Sequence, residues 1–107
     1  RAATAANQLA QVYAAAIRTL LAQAALAPQQ ITAIGCHGQT VRHCPGAGYT
    51  IQLVNGALLA ELSGITVVCD FRSRDIAASG QGAPLVPAFH LEMLRAADRH
   101  RVIVNIG

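Results

Sequence analysis

The sequence predicts an α/β fold, a sheet with helices on both faces, on three observations. Apolar residues recur at helical spacing through the opening segment. Short runs rich in β-branched residues then alternate with further helical stretches. Three of those runs lead straight into polar or glycine-rich residues at their carboxyl ends, the side of an open α/β sheet where ligands bind.

The elements follow in order. Leu9, Val12, Tyr13, Ala16, Ile17, Leu20 and Leu21 form one stripe, with Gln11, Arg18, Thr19 and Gln23 elsewhere. They predict an amphipathic helix of about six turns that Pro28 stops. Ile31–Gly35 is a short strand. Thr40–His43 and Tyr49–Leu53 flank Pro45-Gly46-Ala47-Gly48 and read as a hairpin. Its second arm alternates Tyr49, Ile51 and Leu53 with Thr50 and Gln52, predicting one buried and one polar face. Asn55 caps a second helix through Leu62, which Gly64 terminates. Ile65–Cys69 is the next strand, and Asp70–Pro84 reads as a long irregular loop. Pro87 suits the first turn of a third helix to about Ala97, and Val102–Ile106 reads as a final buried strand.

Composition narrows the function. Charged residues are 12% of the chain against 53% hydrophobic, about half the roughly 25% charged of a soluble domain. Such a chain should bury much of its surface, within itself or against neighbouring protein. The net charge is +3, every cation is Arg, and four aromatics lie scattered among them, which is no nucleic-acid surface. Three cysteines, Cys36, Cys44 and Cys69, show no disulfide spacing and favour a reducing compartment. No apolar run approaches a membrane span of about 18 residues, and the Ala-rich start lacks the features of a signal peptide. A cytoplasmic location is expected.

The polar residues at the strand tips define the candidate site. Cys36-His37-Gly38-Gln39-Thr40 follows the first strand, Asp70-Phe71-Arg72-Ser73-Arg74-Asp75 the second, and Asn105-Ile106-Gly107 the third. Together they suit a sugar, a carboxylate or a phosphate. His37 either hydrogen-bonds ligand hydroxyls or pins the loop, and Gln39 and Thr40 behind it favour the ligand. Arg72 and Arg74, two apart in extended chain, share a side with Asp75 turned away. Either one clamps an anion or ring oxygen through its planar fork, or both pair with Asp70 and Asp75 to stiffen the loop. The reading puts Arg74 on the ligand and leaves Arg72 structural. Ser79-Gly80-Gln81-Gly82-Ala83-Pro84 has the backbone of a close-approach loop without a nucleotide fingerprint. Cys36, His37, His43 and Cys44 lack zinc-knuckle spacing. His90, Glu92 and His100 read as surface or packing residues.

Three segments carry a resemblance. They are Ala33-Ile34-Gly35-Cys36-His37-Gly38-Gln39-Thr40-Val41-Arg42-His43, then the long stretch from Gly64 through Asp70-Phe71-Arg72-Ser73-Arg74-Asp75 and Gly80-Gln81-Gly82-Ala83-Pro84 to His90, and the closing Val104-Asn105-Ile106-Gly107. Over Ile31–Gly107 the chain resembles the anhydro-N-acetylmuramic acid kinases of bacterial cell-wall recycling. The resemblance implies part of a two-lobed, actin-like (ribonuclease H-like) ATPase fold, with residues 1–100 the later part of the first lobe and 101–107 opening the second. It implies ATP and Mg²⁺ as co-substrate and cofactor, and an amino sugar as substrate. The sugar's 1,6-anhydro bond would be cleaved by water while O6 receives the γ-phosphate.

The resemblance further implies sugar contacts at His37, Gln39, Thr40 and Arg74, with Asp75 and Gln81 shaping the pocket. Asn105 and Gly107 would stand near the second phosphate loop. The first phosphate loop and the aspartate base are expected outside this chain, so the piece alone should catalyse nothing. No nucleic acid or membrane partner is implied, and a homodimer is compatible. The family usually reads Gln-Ile-Gly-Asn-Pro where this chain has Gln52-Leu53-Val54-Asn55-Gly56, and Ser79 replaces a common glycine. Two rivals stand beside the kinase: a non-catalytic sensor of muropeptide or sugar using the same pocket, and a structural module whose polar loops only pair with each other.

Overall fold

A computed structural model describes residues 1–104 of the chain, a mixed arrangement of helices and strands. The first helix, α1, spans Ala2–Ala24. Its buried stripe is Ala6, Ala10 and Ala14, flanked by half-buried Tyr13 and Ile17, whereas Val12 and Leu20 of the expected stripe are 62% and 64% exposed. The reason is steric. Small side chains let α1 approach the second helix closely, and Leu59 from that helix fills the space at 1% exposure. Nor does Pro28 end the helix. Ala25 does, in the left-handed conformation, with Ala25 N donating to Ala22 O and Leu26 N to Leu21 O; Pro28 opens a 3₁₀ turn.

The first strand, β1, is Ile34–Gly35, shorter than expected. The hairpin follows as β2 (Gln39–Cys44) and β3 (Tyr49–Leu53), antiparallel, with a bulge at Val41 where the register passes from Thr40↔Gln52 to Arg42↔Ile51. Its faces are the reverse of the expectation. Tyr49 and Ile51 are exposed, while Thr50 and Gln52 are half-buried in a hydrogen-bonded row. Thr50 Oγ1 donates to Arg42 O at 3.3 Å, so it accepts from Gln52 Nε2 (2.7 Å) and from His43 Nδ1 (3.1 Å). Cross-strand polar pairing outweighs the alternation rule here.

Helix α2, Gly56–Ser63, starts and stops as its ends dictate. Asn55 Oδ1 accepts from Leu58 N at 3.0 Å, and Gly64 closes the helix in the left-handed region. The Gly56 departure leaves this cap intact, and a Cβ there would sit 3.0 Å from Cys69 Sγ, so glycine lets the next strand approach. That strand, β4 (Val67–Val68), pairs in parallel with β1, Ile34 opposite Val67 and Gly35 opposite Val68.

Two further helices complete the described residues. Helix α3, Ser73–Ala77, lies inside the stretch expected to be irregular. Helix α4, Val86–Leu94, has Pro87 in its first turn as expected but buries none of its residues. Val102–Val104 form no strand, and the rest of the expected final strand lies outside the described residues. The strands make two separate pairs, β1–β4 and β2–β3, in place of one continuous covered sheet. Gly38, at φ +72°, turns the chain out of β1 before the hairpin begins. The core is Ala10, Ala14, Cys36 and Leu59, with Tyr13, Ile17, Val54, Leu58 and Val67 packed around it. Among the described residues no helix is long and apolar enough to cross a membrane.

Candidate functional site

The parallel pairing of β1 and β4 sets the site. Because Gly35 lies opposite Val68, the residues leaving the two strands emerge side by side, with Cys36 N donating to Val68 O at 2.8 Å. Cys36 turns into the core and the next residue, His37, turns out to solvent. Gly35 carries no side chain, and a Cβ there would rest 3.6 Å from the Phe71 ring.

Beyond β4 the chain passes Asp70, at φ 57°, whose Oδ1 accepts from Ser73 Oγ at 2.5 Å. Arg72 then reaches back across the tips. Its Nε donates to His37 Nε2 at 2.9 Å and its Nη1 to Gly82 O at 2.5 Å. Asp75, on α3, holds the same residue from its other side, Gly82 N donating to Asp75 Oδ2 at 2.6 Å. Gly80 N also donates to Asp75 O at 2.8 Å. The loop from Gly80 to Gly82 is thus gripped by an arginine and an aspartate from one short segment. Both glycines are required. A Cβ at Gly80 would run into the Asp75 carboxylate, and Gly82 sits at φ +68° against Ile76. Ser79, where a glycine is common, takes φ 69°.

Helix α3 corrects the expected geometry of the two arginines. They do not share a side as in extended chain: Arg72 is half-buried in the tip junction and Arg74 is exposed. Asp75 does not turn away but supports Gly82. No ion pair joins Asp70, Arg72, Arg74 and Asp75. The ion pair among the described residues is Arg99–Asp98 at 2.6 Å, on the surface, where the guanidinium lowers the Asp98 carboxyl below its ordinary range and is itself raised.

His37 and Arg72 stand at the polar end of an open cleft of about 1160 Å³. Phe71, Ala83, Pro84, Leu85, Val86, Pro87 and Ile103 make its apolar wall, with His90 of α4 beside them. Of the residues predicted for the site, His37 lines this cleft directly. Asp75 and the exposed Gln81 do not line it; Asp75 bonds Gly82, the residue before Ala83 of the wall. Gln39 begins β2 and is exposed; Thr40 is half-buried, its Oγ1 accepting from Gln52 Nε2 at 3.2 Å. Neither they nor Arg74 line the cleft. Asn105 and Gly107 lie outside the described residues.

The sequence does not reveal Arg72 as the cleft-facing arginine, nor the apolar wall, nor His90 beside it. One signal pointed to Arg72: it is the nearer of the two arginines to the end of β4, and residues at a strand tip face the cleft before a helix can rotate them away. The apolar wall had no comparable signal.

The family described as anhydro-N-acetylmuramic acid kinase matches residues 1–107. A protein named anhydro-N-acetylmuramic acid kinase from Nitrosomonas europaea is 65% identical over 109 residues, covering 100% of this chain and 30% of that protein. Proteins of the same name from Thiobacillus denitrificans and Bordetella pertussis are 64% and 62% identical, over 99% and 100% of this chain and 28% of each relative. The chain thus spans 28–30% of the length of these curated relatives.

Proposed function

Because this chain belongs to the anhydro-N-acetylmuramic acid kinase family, we propose that the protein carrying it is an ATP-dependent kinase of anhydro-N-acetylmuramic acid. The reaction opens the 1,6-anhydro ring with water and phosphorylates O6, giving N-acetylmuramic acid 6-phosphate for cell-wall recycling in the cytoplasm. In this reading residues 1–100 are the sugar-binding side of the first of two actin-like lobes, and 101–107 lead into the second. A homodimer is the assembly to test.

One observation within the chain supports the sugar-binding role above the others: the tips of β1 and β4 bring an imidazole and a guanidinium into hydrogen-bond contact at the mouth of a cleft. A guanidinium has five N–H donors, and two are used, one on His37 and one on Gly82. The remaining donors have no partner among the described residues, and they orient sugar oxygens. The apolar wall packs against the carbon face of the sugar and keeps water from it. Asp75 and Gln81 shape the pocket through the Gly80–Gly82 loop, while Gln39, Thr40 and Arg74, outside the cleft lining, are assigned to outer contacts.

ATP is the phosphoryl donor this reading requires, with Mg²⁺ beside it. The described residues contain no group of three or more His, Cys, Asp or Glu suited to a metal ion, and none is assigned to either. Phosphoryl transfer depends on positioning and electrostatics; this chain contributes the positioning of the sugar. The test is a coupled assay of ADP release by the whole protein with anhydro-N-acetylmuramic acid. Sugar-dependent release is expected, and its absence refutes the kinase reading.

A further inference from the structure

The hydrogen bond between Arg72 and His37 has a fixed polarity. A guanidinium only donates, so the 2.9 Å contact from Arg72 Nε makes His37 Nε2 the acceptor. The ring proton therefore sits on Nδ1, where Gly38 O accepts it at 2.9 Å. Both ring nitrogens are then in use, and a ligand reaches His37 by entering the bond to Arg72.

Only one kind of group enters without loss. A hydroxyl donates to His37 Nε2 and accepts from Arg72 Nε–H, so it replaces one hydrogen bond with two. An ether or carbonyl oxygen satisfies the guanidinium but leaves Nε2 unpaired. An amide N–H satisfies Nε2 but leaves Nε–H unpaired. Unpaired polar groups enclosed by a ligand are what make such sites selective.

We propose that His37 and Arg72 form a hydroxyl-reading pair, opened by one sugar hydroxyl that bridges His37 Nε2 and Arg72 Nε–H. The inference rests on the kinase reading and assigns a substrate group within it. In the anhydro sugar the 1,6-bridge occupies C1 and C6, C2 carries the amide and C3 the lactyl ether. The C4 hydroxyl is the one free hydroxyl of the ring, and it is the group assigned to the pair. The surroundings suit this exchange. His37 is exposed to the cleft, and the Gly38 carbonyl holds the tautomer from behind. Arg72 keeps its second anchor on Gly82 O, itself braced by Asp75, while its Nε–H changes partner.

Two measurements on the whole protein test the pair. In ligand-free protein with ¹⁵N-labelled histidine, in mildly alkaline buffer where imidazoles are neutral, His37 should show a protonated Nδ1 and an unprotonated Nε2. The opposite tautomer overturns the proposal without any variant. In the ADP-release assay, the 4-deoxy sugar should lose about a hundredfold in kcat/KM relative to the parent sugar. In His37→Phe, or in His37→Asn should that variant fold better, the same change of sugar should cost less than about tenfold, because the bridge is already gone. An equal loss in wild type and variant, or no loss in wild type, overturns the C4 assignment while the kinase reading stands. Wild-type protein that releases no ADP with the parent sugar removes the kinase reading itself, and the C4 assignment with it; the tautomer arm still reports on the pair.

Discussion

The stretch from α1 to α3 and the stretch from Ala83 to Val104 are built on different terms. The first holds the buried apolar residues, Ala6, Ala10, Ala14, Cys36, Leu59, Ile65 and Ile76. The second buries none among its described residues, and Phe89, Leu91 and Met93 of α4 stand well exposed. The cleft lies between them. Its polar wall, His37 and Arg72, is fixed by a packed core and by hydrogen bonds to Gly38 and Gly82; its apolar wall, apart from Phe71, comes from the segment with little of its own to pack on. Chemistry is set on one side and width on the other.

That contrast can be broken or sharpened by measurement. Leu59→Ala empties the centre of the core and should destabilise the fold by about 3 kcal/mol in urea unfolding; a loss under about 1 kcal/mol would mean that the α1–α2 contact is not what holds this part together. Gly82→Ala places a methyl group at φ +68° against Ile76, and a cost of about 2 kcal/mol is expected by the same method. Arg72→Ala should raise the sugar KM of the whole protein, or lower kcat/KM, by tenfold or more, about 1.4 kcal/mol. Arg74→Ala, measured beside it, decides between the arginine the sequence favoured and the one the cleft contains. Asn55→Ala removes the α2 cap and the 2.7 Å bond to Asn7 Oδ1, for about 1 kcal/mol of stability. At the far end, Leu91→Gln, at a side chain 64% exposed, should change stability by no more than about 0.5 kcal/mol. A larger loss in the whole protein would locate a partner surface on α4.

Much of this was legible from residues alone. Asn55 and Gly64 marked both ends of α2, because caps answer to local backbone chemistry. The turn at Pro45–Gly48 likewise gave the hairpin, and the convergence of the β1 and β4 tips followed from strands that end in polar residues. The failures share a cause: they depend on neighbours distant in sequence. Leucines outscore alanines as an apolar stripe, yet a close helix pair selects Ala6, Ala10 and Ala14. Five residues are too few for α3 to show a period, so Arg72 and Arg74 were placed as if in extended chain. The covered face of β3 went to Thr50 and Gln52 because their partners Thr40 and His43 lie across the turn.

A single peptide unit separates Cys36, sealed among Ala10, Ala14 and Leu59, from His37, which meets solvent. Interior and cleft wall therefore have no spacer between them. A volume change deep in the protein, at Ala10 for instance, should displace the His37 Cα, which one rigid amide plane ties to Cys36. The magnetic environment of that ring becomes a gauge of how well the hydrocarbon behind it is filled.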